Sequence, residues 1–221
     1  MPREAFEAEL RAISADVLRL GQHVRDALHD SMEALRDADL ERSRALDADD
    51  THVNRDRWTI EERAIAAVAM QAPVAGDLRR LTSALAVVGE LERIGDHAAG
   101  IARVNLLLGP GPTPRRLGYI PSMADRALAM LDDALDAFEH DNVRRAEHVC
   151  QADDDLDRLQ SRVYQDAFSA MVADPALVQR LTYALWIAHN LERVGDRCTN
   201  ICERVIYTVT GRLVESSDSS A

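Results

Sequence analysis

The chain contains no lysine at all: its 26 basic residues are every one arginine. Schiff-base chemistry on a lysine, a lysine general base and a phosphate-binding P-loop are therefore excluded outright. Aromatic residues make up only 4% of the 221 residues, and β-branched residues are sparse beside Ala, Leu, Arg, Asp and Glu. That stock forms helices and is poor material for sheets. Three cysteines do not make a disulfide framework. No uninterrupted apolar run approaches the length of a membrane span. Positions 1–14 are charged and amphipathic, without the apolar centre of a signal peptide. Basic charge is also in deficit. A net charge of −12 argues against a nucleic-acid partner, because phosphate contacts need a basic surface. The expected class is a helical protein of the cytoplasm, peripheral to a membrane at most.

The chain is written twice. Arg80-Leu81-Thr82-Ser83-Ala84-Leu85 returns as Arg180-Leu181-Thr182-Tyr183-Ala184-Leu185, and Leu91-Glu92-Arg93-Ile94-Gly95-Asp96 returns as Leu191-Glu192-Arg193-Val194-Gly195-Asp196. Both repeats sit at an offset of 100. Upstream, Leu46, Asp50, Val53, Ile60 and Ala64 match Val149, Asp153, Leu156, Val163 and Ala167 at an offset of 103. The run Gly109-Pro110-Gly111-Pro112-Thr113-Pro114 between the halves cannot continue a helix. The periodicity predicts three helices per half, over 4–36, 40–71 and 74–107, then 122–140, 143–173 and 175–210. Long amphipathic helices with short turns pack as antiparallel neighbours, so the expected fold is all-α. It comprises two tandem, similar three-helix bundles, residues 1–108 and 118–212, joined by a linker at 109–117. A polar tail follows at 213–221.

Chemistry enters where carboxylates occupy positions that packing ordinarily fills with apolar side chains. At about 100° per residue, Leu78, Leu81, Leu85, Val88 and Ala99 fall within about 40° of Glu92, and Asp96 lies among them. Arg79, Ser83, Glu90 and His97 fall about 140–180° away and are expected on the solvated face. Glu192 and Asp196 repeat the placement. On the second helix of each half, Asp50 and Asp153 hold one seam position, with Asn54 and Asp157 one turn later. Unpaired carboxylates there cost several kcal/mol each, by rough reckoning, before any change in protonation. Three things can compensate them: an arginine (Arg57, Arg93, Arg103 or Arg193), exposure in a groove, or a bound cation. Carboxylates at i and i+4 on two facing helices can surround a hard metal with oxygen. No glutamate is followed by histidine at the third position, which disfavours an oxygen-activating di-iron enzyme. Cys198 and Cys202 correspond to Ala98 and Ala102 and are expected in the core, as is Cys150. Trp58 and Trp186 are expected to pack at bundle edges, and Gly89, Gly95 and Gly195 to permit close helix approach. His52, near Asp49 and Asp50, is a lesser ligand candidate.

With two E-x-x-x-D motifs, Glu92–Asp96 and Glu192–Asp196, the run from Pro73 to Leu81 and the opening Phe6-Glu7-Ala8-Glu9-Leu10, the chain resembles the PhoU family of phosphate-signalling regulators. The resemblance covers essentially its whole length. It implies a non-enzymatic adaptor between the ATPase subunit of a phosphate ABC transporter and a phosphate-responsive sensor histidine kinase. That adaptor represses the starvation response at high phosphate and is expected as a homodimer. It also implies metal at the acidic seams, as iron, zinc, manganese or magnesium. The family motif extends to a following Asn, kept as Asn200 but replaced by Gly100 in the first half. Glu203 likewise stands where the first half has Arg103, so the second site is expected to hold metal better. Two rival readings come from the residues themselves: a carboxylate-bridged metalloenzyme or metal-storage bundle, and a plain helical scaffold with ion-paired seams.

Overall fold

The computed structural model describes residues 3–110 and 118–213. Six α-helices and one short 3₁₀ turn make up its regular structure. The first bundle comprises α1 (Arg3–Asp37), α2 (Leu40–Gln71) and α3 (Ala75–Leu108). The second comprises α4 (Ile120–Glu139), α5 (Val143–Ala173) and α6 (Val178–Thr210), with the 3₁₀ turn Pro175–Leu177 ahead of α6. All six helices expected from periodicity are present, α2 and α5 with the expected bounds and the others with ends displaced by at most three residues. The largest displacement is at α6. There Asp174 bonds the Ala176 amide and Pro175 opens a tighter turn, so the α-helix proper starts at Val178. Linker residues 111–117 and tail residues 214–221 lie outside the described residues.

Local chemistry sets the boundaries. Asp39 caps α2 by accepting from the Arg42 amide, and Asn142 caps α5 by accepting from the Arg145 amide. These caps satisfy backbone donors that a helix start leaves free. Each bundle buries its stripes of Leu, Ile, Val and Ala, but the two bundles do not keep separate cores. Their buried side chains form one continuous apolar cluster.

The fusion runs along α3 and α6, which lie side by side and antiparallel. Arg79 on α3 donates to the Thr208 carbonyl on α6, Thr208 donates to Ser83 at 2.7 Å, and His97 reaches Asn190. The face expected to be wet is thus the seam between the bundles. Ser83 is buried, and Glu90 and His97 are largely covered. The reason is tertiary: helix periodicity separates two faces but does not say whether the polar one meets water or another polar helix face.

The seam is built on an approximate two-fold, and its two sides use different chemistry. Glu90 accepts from Arg197 at 3.2 Å and from Asn200 at 3.1 Å. At the offset of 100 the same places hold Asn190, His97 and Gly100. There His97 Nδ1 donates to the Asn190 carboxamide oxygen at 3.0 Å. A Cβ on Gly100 would sit 2.9 Å from that oxygen, so the glycine makes room for the contact. One side of the seam is ionic and the other is neutral.

Candidate functional site

The two acidic grooves lie on the outer faces of the α2/α3 and α5/α6 pairs. Each second helix reaches its third helix closely enough for a seam carboxylate to meet the E-x-x-x-D pair. At Gly195 the approach is tight: an added Cβ would lie 2.5 Å from Leu156 and 2.8 Å from the Asp153 carboxylate. Gly95 faces Val53 in the same way, whereas Gly89 opens on empty space and serves no close approach.

In the first groove the compensation is built from arginine. Arg57 Nε donates to Glu61 at 2.8 Å and its Nη1 lies 3.1 Å from Glu92, whose side chain is 14% exposed. Arg103 pairs with Asp47 at 3.0 Å and leans on the Asp96 backbone carbonyl. Asp50 and Asp96 share a hydrogen bond, and Asn54 donates to Asp50. Burial raises both aspartates above the usual carboxylate range. The neighbouring acid, Asp96 for Asp50 and Glu92 for Asp96, adds to the rise, while Arg103 works against it. Two acids that share a proton titrate as a pair.

The second groove is less fully neutralised. Burial lifts Asp153 to about 7, with the charges of Asp157, Asp196 and Glu192 adding. Asp157 is raised by burial and then by Asp196, and Glu192 by burial and then by Asp196. Arg193 donates to Asp196 at 2.6 Å and stands 3.3 Å from Glu192. Buried oxygens of Asp50, Asp153 and Glu192 have no hydrogen-bond partner. Three orphaned carboxylate oxygens lie along two matched grooves, two of them in the second. An orphaned buried acceptor is costly, and a cation is one remedy.

The grooves do not assemble every expected ligand. Asp153, Asp157, Glu192 and Asp196 act on one another, as do Asp50, Glu92 and Asp96. Asn200 is turned away: its amide is spent on Glu90 across the seam, because it lies about 80° round α6 from Glu192. The difference between Asn200 and Gly100 thus tracks the seam between bundles. Glu203 stands beside Cys150, whose thiol burial pushes up to about 11. His52 donates to Asp49 (2.7 Å), which His23 also reaches at 2.6 Å, rather than to Asp50. Among the described residues no three His, Cys, Asp or Glu side chains converge as a ready metal cage. The donor set still suits a hard cation in kind, being all oxygen with buried unpartnered atoms, and suits it better where no Arg57 or Arg103 intervenes.

Cys198 and Cys202 are buried as expected, while Cys150 is half-covered. Trp58 and Trp186 are more exposed than edge packing predicts, and Trp186 meets Tyr183 edge-on at 5.7 Å. Sequence reasoning missed the polar seam, whose signal lay in the complementary pairs Glu90/Asn190 and His97/Arg197 at one offset. It also missed Asn105. That buried amide ties the end of α3 to the Ala34 carbonyl (3.0 Å) and Ser43 (2.8 Å) at the α1–α2 turn.

Fold and site together define a class: an all-helical protein made of two copies of a three-helix unit, each with a carboxylate pair on its third helix facing an aspartate on its second. The PhoU domain model matches residues 17–104 and again 120–205, and the chain belongs to that family. A phosphate-specific transport system accessory protein PhoU homolog of Clostridium acetobutylicum is 35% identical over 219 residues, 99% of this chain and 100% of that protein. The Escherichia coli accessory protein PhoU is 31% identical over 207 residues, covering 94% and 86%. The crystal structure of PhoU from Pseudomonas aeruginosa superimposes with a TM-score of 0.90 at 33% identity, over 94% of this chain and all of that one. The phosphate transport system regulatory protein PhoU from Streptococcus pneumoniae gives 0.84 at 29% identity, over 95% and 99%. No helix among the described residues is long and apolar enough to cross a membrane.

Proposed function

We propose that this chain is a non-enzymatic regulator of inorganic phosphate uptake and of the phosphate-starvation response. It acts in the cytoplasm as an adaptor between the ATPase subunit of a phosphate ABC transporter and a sensor histidine kinase, and represses the response when phosphate is plentiful. The observation that carries the reading is full-length likeness, in sequence and in fold, to proteins named as accessory and regulatory components of phosphate transport. The molecule suits the task physically. A fused helical core with acidic outer grooves presents a rigid, charge-marked surface, and such complementarity favours specificity and fast encounter.

The second groove holds a divalent or trivalent metal ion in this reading, through Asp153, Asp157, Asp196 and Glu192, supported by their crowding and by the orphaned oxygens of Asp153 and Glu192. When bound, such an ion supplies charge neutralisation and rigidity. The first groove, already served by Arg57 and Arg103, depends on metal less. A strain lacking the gene tests the function. Phosphatase expression should become constitutive in high phosphate and be restored to repression by the wild-type chain, and an unchanged phosphate response overturns the reading.

A further inference from the structure

We propose that the junction between the two bundles holds a binding site for a small zwitterion with an apolar body, the chemistry shared by free apolar amino acids and short peptides. The site arises because the helices that wall it are unequal. α1 runs for 35 residues and α4 for 20. They meet antiparallel, through Arg25 and Asp132 at 3.1 Å and at Gly21, where Leu135 leaves no room for a Cβ. α4 then ends at Glu139, while α1 runs on toward Arg3 without it. The space so left is a cavity of about 690 Å³, closed by the start of α3 and the end of α6. Its size and its place between two packed units are those of small-molecule sites.

The floor is apolar and belongs to both bundles. Ile13 and Leu81 come from the first and Val205 from the second, all three buried, and Phe138 of α4 adds a ring. The rim is charged, and most of that charge is already spent. Arg3 serves Glu7 at 2.8 Å and Asp77 at 2.7 Å, and Arg80 crosses to Asp141 in the second bundle at 2.6 Å. Thr208 is committed to Ser83. Three rim groups are left over: Arg11 and Ser14, at i and i+3 on α1, and Glu139 at the end of α4. None of the three has a hydrogen bond or ion pair among the described residues.

The leftover set matches one kind of ligand. A guanidinium and a hydroxyl donate to a carboxylate, a glutamate accepts from an ammonium, and the floor between them takes an apolar side chain. A simple anion would meet four acids set against three arginines on this rim, and a simple cation would leave Arg11 unserved. A zwitterion satisfies both ends at once. Because the floor spans both bundles, its binding also tightens their junction.

The test uses the full chain with metal chelated, so that amino acids cannot bind through an ion. L-leucine is titrated by calorimetry beside leucinamide, which lacks the carboxylate, N-acetylleucine, which lacks the ammonium, and glycine, which lacks the apolar body. Leucine should bind saturably and raise Tm. Each analogue should bind about tenfold more weakly, through loss of one charge-assisted contact or one buried side chain. Leucyl-leucine separates the two sources. Tighter binding of the dipeptide assigns the site to short peptides and tighter binding of leucine to free amino acids, and either supports the zwitterion. Arg11→Gln should weaken leucine about tenfold and leave leucinamide unchanged, while Glu139→Gln should weaken leucine and leave N-acetylleucine unchanged. A merely structural role for either residue gives no such split. Ala15→Trp, on the exposed rim, should fill the mouth and abolish binding without lowering the Tm of the free chain. Absence of saturable binding by both leucine and leucyl-leucine, equal binding of the analogues, or indifference to both charge substitutions overturns the proposal. The regulator reading stands apart from all of these results, since the deletion strain decides it.

Discussion

Asp153 shows what one residue contributes. Its carboxyl is lifted from 3.8 to about 7 by burial first and by Asp157, Asp196 and Glu192 after it. Between those values the folded chain holds a proton that the unfolded chain has released. Stability from this group is therefore complete below about pH 4 and lost as pH rises through about 7. With metal chelated, thermal melts should show Tm falling over that window, and Asp153→Asn should flatten the slope and raise Tm at about pH 8. For a chain of this size each kcal/mol recovered is worth roughly 2–4 °C. Metal occupancy separates the two grooves at the same scale. Elemental analysis of Asp153→Ala and Glu192→Ala should show a larger loss of bound metal than Glu92→Ala, whose carboxylate is already served by Arg57. Equal losses would remove the asymmetry.

At the scale of elements, the glycines of the third helices divide by what faces them. Gly195→Ala drives a Cβ into Leu156 and the Asp153 carboxylate. It should cost about 1–3 kcal/mol through overpacking, measured by denaturant unfolding, and should spread α5 from α6. Gly89→Ala meets nothing within 4 Å and should stabilise α3 by up to about 1 kcal/mol through helix propensity. Opposite signs from two glycines less than two turns apart in register would confirm that packing, not propensity, governs the groove wall. The helices themselves were readable from periodicity, and their ends from Asp39, Asn142 and the prolines. The start of α6 was misplaced because Asp174 and Pro175 support a 3₁₀ turn as readily as an α-helical one.

At the scale of the whole molecule, the α3/α6 seam joins two bundles into one body. In the ionic half Arg197 and Asn200 both point at Glu90, and Arg197 also lies 3.7 Å from Asp196. Glu90→Ala strands the Asn200 amide, leaves Arg197 only the longer contact with Asp196, and should cost about 1–3 kcal/mol. Amide exchange should then quicken along the middle of α3 and α6 ahead of the rest of the chain. On the neutral side, burial holds His97 below the ordinary histidine range, so it enters the seam uncharged and donates to Asn190. Of the candidate ligands, Asp50, Asp96, Asp153, Asp157, Glu92, Glu192 and Asp196 were placed in their grooves by spacing alone. Asn200 was not, since a residue on the same stripe can turn to either neighbour once a third helix packs.

Read along the chain, duplication and heptad-like spacing by themselves determined six helices, two equivalent units and a carboxylate pair on each third helix. These are local and repeated properties, carried by 3.6-residue periodicity and by covalent order. Tertiary structure alone decided that the polar sector of α3 meets α6 and not water, that Arg57 spans Glu61 and Glu92 in one groove while Arg193 serves Asp196 and Glu192 in the other, and that two of the three unpartnered oxygens fall in the second. Such choices depend on which surfaces of distant helices come together, and periodicity within a helix is the same for every partner it could meet.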